Sequence, residues 1–125
     1  MQFEHEFNSS SSTYFALTYP FSYEDCQELL KSYEVMLTGN PSIYFNRELL
    51  IYSKERRHVD LLTISSVGNT ETVREEGIEG LFPLGLNQRP FKYNKDCIFI
   101  TARVHPGEVQ GSHMLNGLLS FLLKE

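Results

Sequence analysis

His105-Pro106-Gly107-Glu108 is the stretch of this chain best equipped for chemistry. An imidazole and a carboxylate stand three positions apart on either side of a Pro-Gly corner. Such donors suit zinc, and catalytic zinc sites commonly combine two His, one Glu and a water. Pro106 blocks an early helix start after His105, and Gly107 permits a positive φ and a close backbone approach. Glu108 is expected in the first turn of the next helix, where the macrodipole favours a carboxylate. Taken alone, His-x-x-Glu equally describes a surface turn whose Glu starts a helix. The strand-turn-helix setting is what favours a metal. Arg103, two residues ahead of His105, either supports the ligands from behind or forms a salt bridge at a strand end.

The remaining polar candidates are weaker. His113 lies eight positions beyond His105 and reaches the same point only if the helix bends back, so a half-buried structural role is expected. His5 stands between glutamates in a solvated N-terminal stretch, and His58 in an exposed bridge. Arg56 and Arg57 read as a solvated hairpin tip. Glu71, Glu75, Glu76 and Glu79 read as the solvating face of a loop. Asn116 and Gly117 are expected to mark close packing of the last helix on a sheet.

The elements that must position His105 and Glu108 follow from local signals. Asn8 to Ser12 is a flexible polar link. Thr13 to Tyr19 is rich in aromatic and β-forming residues and predicts a strand that Pro20 ends. Ser22-x-x-Asp25 predicts a capping box. Behind it, Cys26, Leu29, Leu30, Tyr33 and Leu37 form one apolar stripe at helical spacing, which Gly39 and Asn40-Pro41 stop. Arg47–Ser53 and Val59–Ser65, bridged by Lys54–His58, predict a hairpin. Val67 to Asn94 reads as one long loop. Cys97-Ile98-Phe99-Ile100-Thr101-Ala102 predicts a strand covered on both faces, delivering His105 to its C-terminal end. Val109 to Lys124 predicts a helix, apolar around more than half its circumference and therefore in need of partners on several sides. This points to the front part of a larger α/β domain.

Composition narrows the classes. The chain has 125 residues, 41% hydrophobic and 13% aromatic, which is ordinary globular composition. Eleven Lys and Arg against sixteen Asp and Glu give a net charge of −5, which disfavours binding to a nucleic-acid backbone. No signal peptide or apolar run of membrane-spanning length is visible, so a cytoplasmic location without membrane contact is expected. The two cysteines, Cys26 and Cys97, read as buried reduced thiols.

Thr101-Ala102-Arg103-Val104-His105-Pro106-Gly107-Glu108, running into Ser112-His113-Met114-Leu115-Asn116-Gly117-Leu118-Leu119, resembles the zinc motif of the cytosolic carboxypeptidases, which are zinc-dependent metallocarboxypeptidases. Tyr14 to Tyr23 resembles the aromatic signature preceding the peptidase domain in that family. Arg47–Leu50 and Val59–Ser66 resemble its first hairpin. The resemblance implies an α/β fold, the N-terminal portion of a zinc-carboxypeptidase-like mixed sheet with flanking helices. Residues 1–21 are then the end of an N-terminal β domain or linker, and 22–125 the front of the peptidase domain, truncated after the helix that follows the motif.

The resemblance also implies roles. His105 and Glu108 match the first two ligands of one zinc ion. The third ligand, the general-base Glu, a carboxylate-binding Arg and a mobile Tyr fall beyond Glu125, so no catalytic residue lies in this chain, which is expected to bind zinc poorly and to be inactive alone. The implied reaction removes C-terminal or side-chain glutamates from proteins such as tubulin, with a cytoplasmic, microtubule-associated location. Two other readings stay open: an aspartoacylase-like zinc deacylase, and a catalytically dead truncated interaction module.

Overall fold

The computed structural model describes residues 2–8 and 10–124. Among them, two helices and two antiparallel strand pairs follow in the order α1 (Tyr23–Met36), β1 (Ile43–Tyr52), β2 (His58–Ser66), β3 (Thr70–Arg74), β4 (Phe91–Tyr93) and α2 (Val109–Leu122). The class is α/β as expected, built as two separate two-stranded sheets, β1-β2 and β3-β4.

Helix α1 starts as its capping residues dictate. Ser22 Oγ accepts from the Asp25 backbone N–H at 3.0 Å, and Asp25 accepts from the Ser22 N–H at 2.8 Å, satisfying two donors that a helix start otherwise leaves orphaned. Gly39, at φ +73, stands just past the helix end. The stripe buries Leu30, Tyr33 and Leu37 against Leu119 and Leu123 of the α2 region. Cys26, Leu29 and Leu115 join from the helices, and Ile43, Phe45, Leu62 and Ile64 from the hairpin. A 3.0 Å hydrogen bond between the Tyr33 hydroxyl and Ser120 Oγ ties the two helices.

The hairpin uses both faces, because successive strand residues point to opposite sides. Ile43 stands opposite Ser66, and the register runs to Leu49 opposite Asp60. A bulge then sets Ile51 against Val59 and Tyr52 against His58. Ile43 and Phe45 face the helices, and so does Arg47, which reaches Glu34 of α1 at 3.3 Å and Asp60 at 3.2 Å. Tyr44, Asn46 and Glu48 face the other way. The Tyr44 hydroxyl accepts from Phe91 N–H at 2.9 Å, Asn46 donates to Gln88 O at 3.2 Å, and Glu48 takes Arg89 Nη1 at 2.8 Å. Arg89 also lies over the Phe82 ring at 3.5 Å.

Several expectations are corrected. Thr13–Tyr19 is not a strand: the stretch has no ladder, and Tyr14, Leu17 and Tyr19 are exposed. The 67–94 loop carries β3 and β4, with Thr70 opposite Tyr93 and Arg74 opposite Phe91, so its polar composition concealed a small sheet. Cys97–Ala102 forms no strand and joins no sheet among the described residues. Ile98 is 88% exposed and Phe99 77%, the reverse of a covered central strand. Cys97 is correspondingly exposed, while Cys26 is half-buried and burial pushes its thiol pKa up. Helix α2 ends at Leu122, and a side chain at Gly117 would meet open space, so that glycine marks no close packing. No helix among the described residues is long and apolar enough to cross a membrane.

Candidate metal centre

The His105–Glu108 corner is a backbone turn closed by Glu108 N–H donating to His105 O at 3.1 Å. Helix α2 begins immediately after it, with Glu108 as its N-cap. Glu108 therefore stands one residue ahead of the expected first turn, and its side chain makes no capping hydrogen bond. It turns back instead, so that Oε1 lies 2.9 Å from His105 Nδ1. Both side chains are open to solvent, at 72% and 61% exposure. Gly107 is not at positive φ and has room around it. The left-handed residue is Arg103, at φ +62, a conformation that costs a non-glycine residue on the order of 1 kcal/mol.

Arg103 makes three hydrogen bonds rather than a strand-end salt bridge. Nε donates to Pro106 O at 2.8 Å, while Nη1 donates to Phe21 O at 3.0 Å and to Ser112 Oγ at 3.2 Å. The other histidines go elsewhere. His113 is exposed rather than half-buried, with its ring edge-on to Phe21 at 5.5 Å and Nε2 3.4 Å from Tyr19 O. His58 is exposed at the hairpin end, its backbone N–H donating to the Tyr23 hydroxyl at 3.1 Å. His5 lies among Phe7, Phe15 and Thr13. Arg57 pairs with Glu55 at 3.3 Å at the tip.

The donor pair fits part of a zinc site. Two ligands about 2.0–2.2 Å from a tetrahedral ion stand roughly 3.3–3.6 Å apart; Nδ1 and Oε1 are hydrogen-bonded at 2.9 Å, so the pair would part by about half an ångström to take an ion between them. Among the described residues, no group of three or more His, Cys, Asp and Glu side chains gathers at one point. Two shallow hollows, of about 650 Å³ along α1 and about 430 Å³ beside Arg47, contain no residue of the turn. Sequence reasoning missed the buried Glu48–Arg89 pair. The available signal was the charged dipeptide Arg47-Glu48 inside an apolar strand, whose members must face opposite layers.

No family model matches the chain. Comparison with curated proteins is informative. The chain is 42% identical to human cytosolic carboxypeptidase-like protein 5 over 135 aligned residues, covering 99% of the chain and 15% of that protein. Over nearly its whole length the chain is similar to cytosolic carboxypeptidases. It is 38% identical to cytosolic carboxypeptidase-like protein 5 of Danio rerio, over 91% of the chain and 14% of the relative. It is 30% identical to cytosolic carboxypeptidase 6 of Caenorhabditis elegans, over 100% of the chain and 22% of the relative. It thus spans about one-seventh to one-fifth of the length of these carboxypeptidases.

Proposed function

We propose that this chain is the N-terminal portion of a zinc-dependent metallocarboxypeptidase that removes C-terminal or side-chain glutamates from proteins such as tubulin. In this reading residues 22–125 form the front of the peptidase domain, residues 1–21 close a preceding β domain or linker, and the enzyme works in the cytoplasm at microtubules. The observation that carries it is the 2.9 Å convergence of His105 Nδ1 and Glu108 Oε1 on an exposed corner, in a chain whose relatives are named carboxypeptidases. Those names favour peptide-bond cleavage over the deacylase alternative.

His105 and Glu108 are the first two ligands of one zinc ion, and a longer polypeptide supplies the third. Zinc, when bound, lowers the pKa of its water and polarises the scissile carbonyl. The corner's own task is to present one nitrogen and one oxygen at a fixed separation. Its exposure leaves the other side of the pair open to the rest of the domain and to substrate. Arg103 holds the corner through Pro106 O. The chain's charge of −5 repels acidic tails, so selectivity for glutamate comes from basic groups contributed elsewhere in the protein.

The test is chelator-sensitive release of glutamate from glutamylated tubulin peptides by the longer polypeptide, with His105→Ala and Glu108→Gln each abolishing it. The 125-residue chain alone is expected to release none. Robust release by that chain, or full activity in either variant, contradicts the reading.

A further inference from the structure

Three separate parts of the chain meet in one side chain, that of Arg103. Its acceptors are Pro106 O inside the corner, Phe21 O just before α1, and Ser112 Oγ on α2. Ser112 is buried, so its hydroxyl is a fixed anchor rather than a mobile surface group. The stretch before α1 is met a second time from α2, where His113 touches Tyr19 O and the Phe21 ring.

We infer that Arg103 is a positioning residue for the candidate metal corner. Its guanidinium clasps the corner to α2 and to the Tyr19–Phe21 stretch, and so keeps His105 and Glu108 aimed at each other although both are exposed. The inference rests on the reading of His105 and Glu108 as ligands. A four-residue corner closed by one backbone hydrogen bond has little of its own to fix the direction of two exposed side chains. A planar guanidinium offers donors in fixed directions and can serve acceptors on different sides at once. An ammonium presents its donors from a single point. The left-handed backbone at Arg103 belongs to the same device, since it is held where the three acceptors hold the side chain. Orienting groups behind metal ligands act in this way, and losing one weakens metal binding by about 10- to 100-fold.

The experiment uses the full chain with ¹⁵N-labelled histidine, without metal, and follows the His105 ring nitrogens by long-range ¹H–¹⁵N spectra. Arg103→Gly removes the guanidinium while leaving the left-handed backbone accessible. The expected result is that the hairpin amide signals stay in place while the His105 ring signals move towards those seen in Glu108→Ala. In the longer, zinc-loaded polypeptide the same variant is expected to weaken zinc binding about tenfold or more. His105 ring signals in Arg103→Gly that superimpose on those of the parent overturn the clasp. Should that variant lose its hairpin amide dispersion, Ser112→Ala, which removes only one acceptor, decides by the same comparison. The spectra need no metal, so their failure removes the clasp and leaves the ligand reading standing. Loss of the ligand reading, by a longer polypeptide that binds no zinc, leaves the clasp to be judged by the spectra.

Discussion

The α1–hairpin region and the Cys97–Glu108 region treat their apolar and polar groups in opposite ways. In the first, the apolar stripe of α1 is covered and Arg47 lies among Glu34, Asp60 and Gln27. Glu48 is matched by Arg89, the two side chains being 1% and 8% exposed. In the second, Ile98, Phe99, Ile100 and Val104 are exposed, and so are the two groups best suited to chemistry. The first region is finished by contacts within the chain. The second carries apolar surface and paired donors in excess of what the chain uses. Buried area and satisfied polar groups carry stability, so stability should reside in the first region and chemistry in the second, and the two should be separable by substitution.

The largest expected effect comes from breaking the buried pair. Arg89→Ala leaves the Glu48 carboxyl without its partner in the interior, at a cost of about 3–5 kcal/mol, measurable by urea unfolding. Burial is the main influence raising the Glu48 pKa, with Arg89 opposing it. Removing Arg89 therefore pushes that pKa further up. Leu119→Ala, which opens the contact between α2 and the α1 stripe, is expected to cost about 2–4 kcal/mol in the same assay.

Helix capping comes next. Ser22→Ala should lower stability by about 1 kcal/mol. Its partner Asp25 is held below the ordinary value of 3.8, first by the Ser22 backbone N–H and then by the Ser22 side chain. A carboxyl depressed in the folded state adds stability above its unfolded pKa and loses it as pH falls through the folded one. The stability difference between the parent and Asp25→Asn should therefore hold steady down to about pH 4 and shrink below it. A difference that grows on acidification contradicts the cap.

The smallest effect belongs to the second region. Ile98→Lys should change stability by less than about 0.5 kcal/mol, as at other exposed positions without partners. A large loss there would erase the contrast between the regions.

What was legible in the residues divides along the same line. Helix α1 and the hairpin rest on local signals: a Ser-x-x-Asp start, a 3.6-residue stripe, and two β-rich runs with a polar bridge. The observed hairpin extends the expected one to Ile43–Tyr52 and His58–Ser66. Composition hid β3 and β4, because short strands paired across 17 or more residues leave little periodicity in a stretch rich in Gly, Glu and Asn. Cys97–Ala102 has strong β propensity, but a strand exists only when another backbone accepts its hydrogen bonds, and that partner is non-local. At the candidate site, residue types and spacing put His105 and Glu108 in one turn, where they lie 2.9 Å apart. The way the corner is held was not foretold. Gly107 permits a positive φ but does not use it, whereas Arg103 carries one. Glu108 was expected inside the helix and stands at its cap.

Zinc stoichiometry of the longer polypeptide carrying this segment, measured by elemental analysis after dialysis, tests the central claim most directly. One zinc per chain is expected in the parent, and essentially none in His105→Ala and Glu108→Gln, with the folded secondary structure retained in each. Full zinc occupancy in the His105 and Glu108 variants would contradict the assignment of the corner as a metal site.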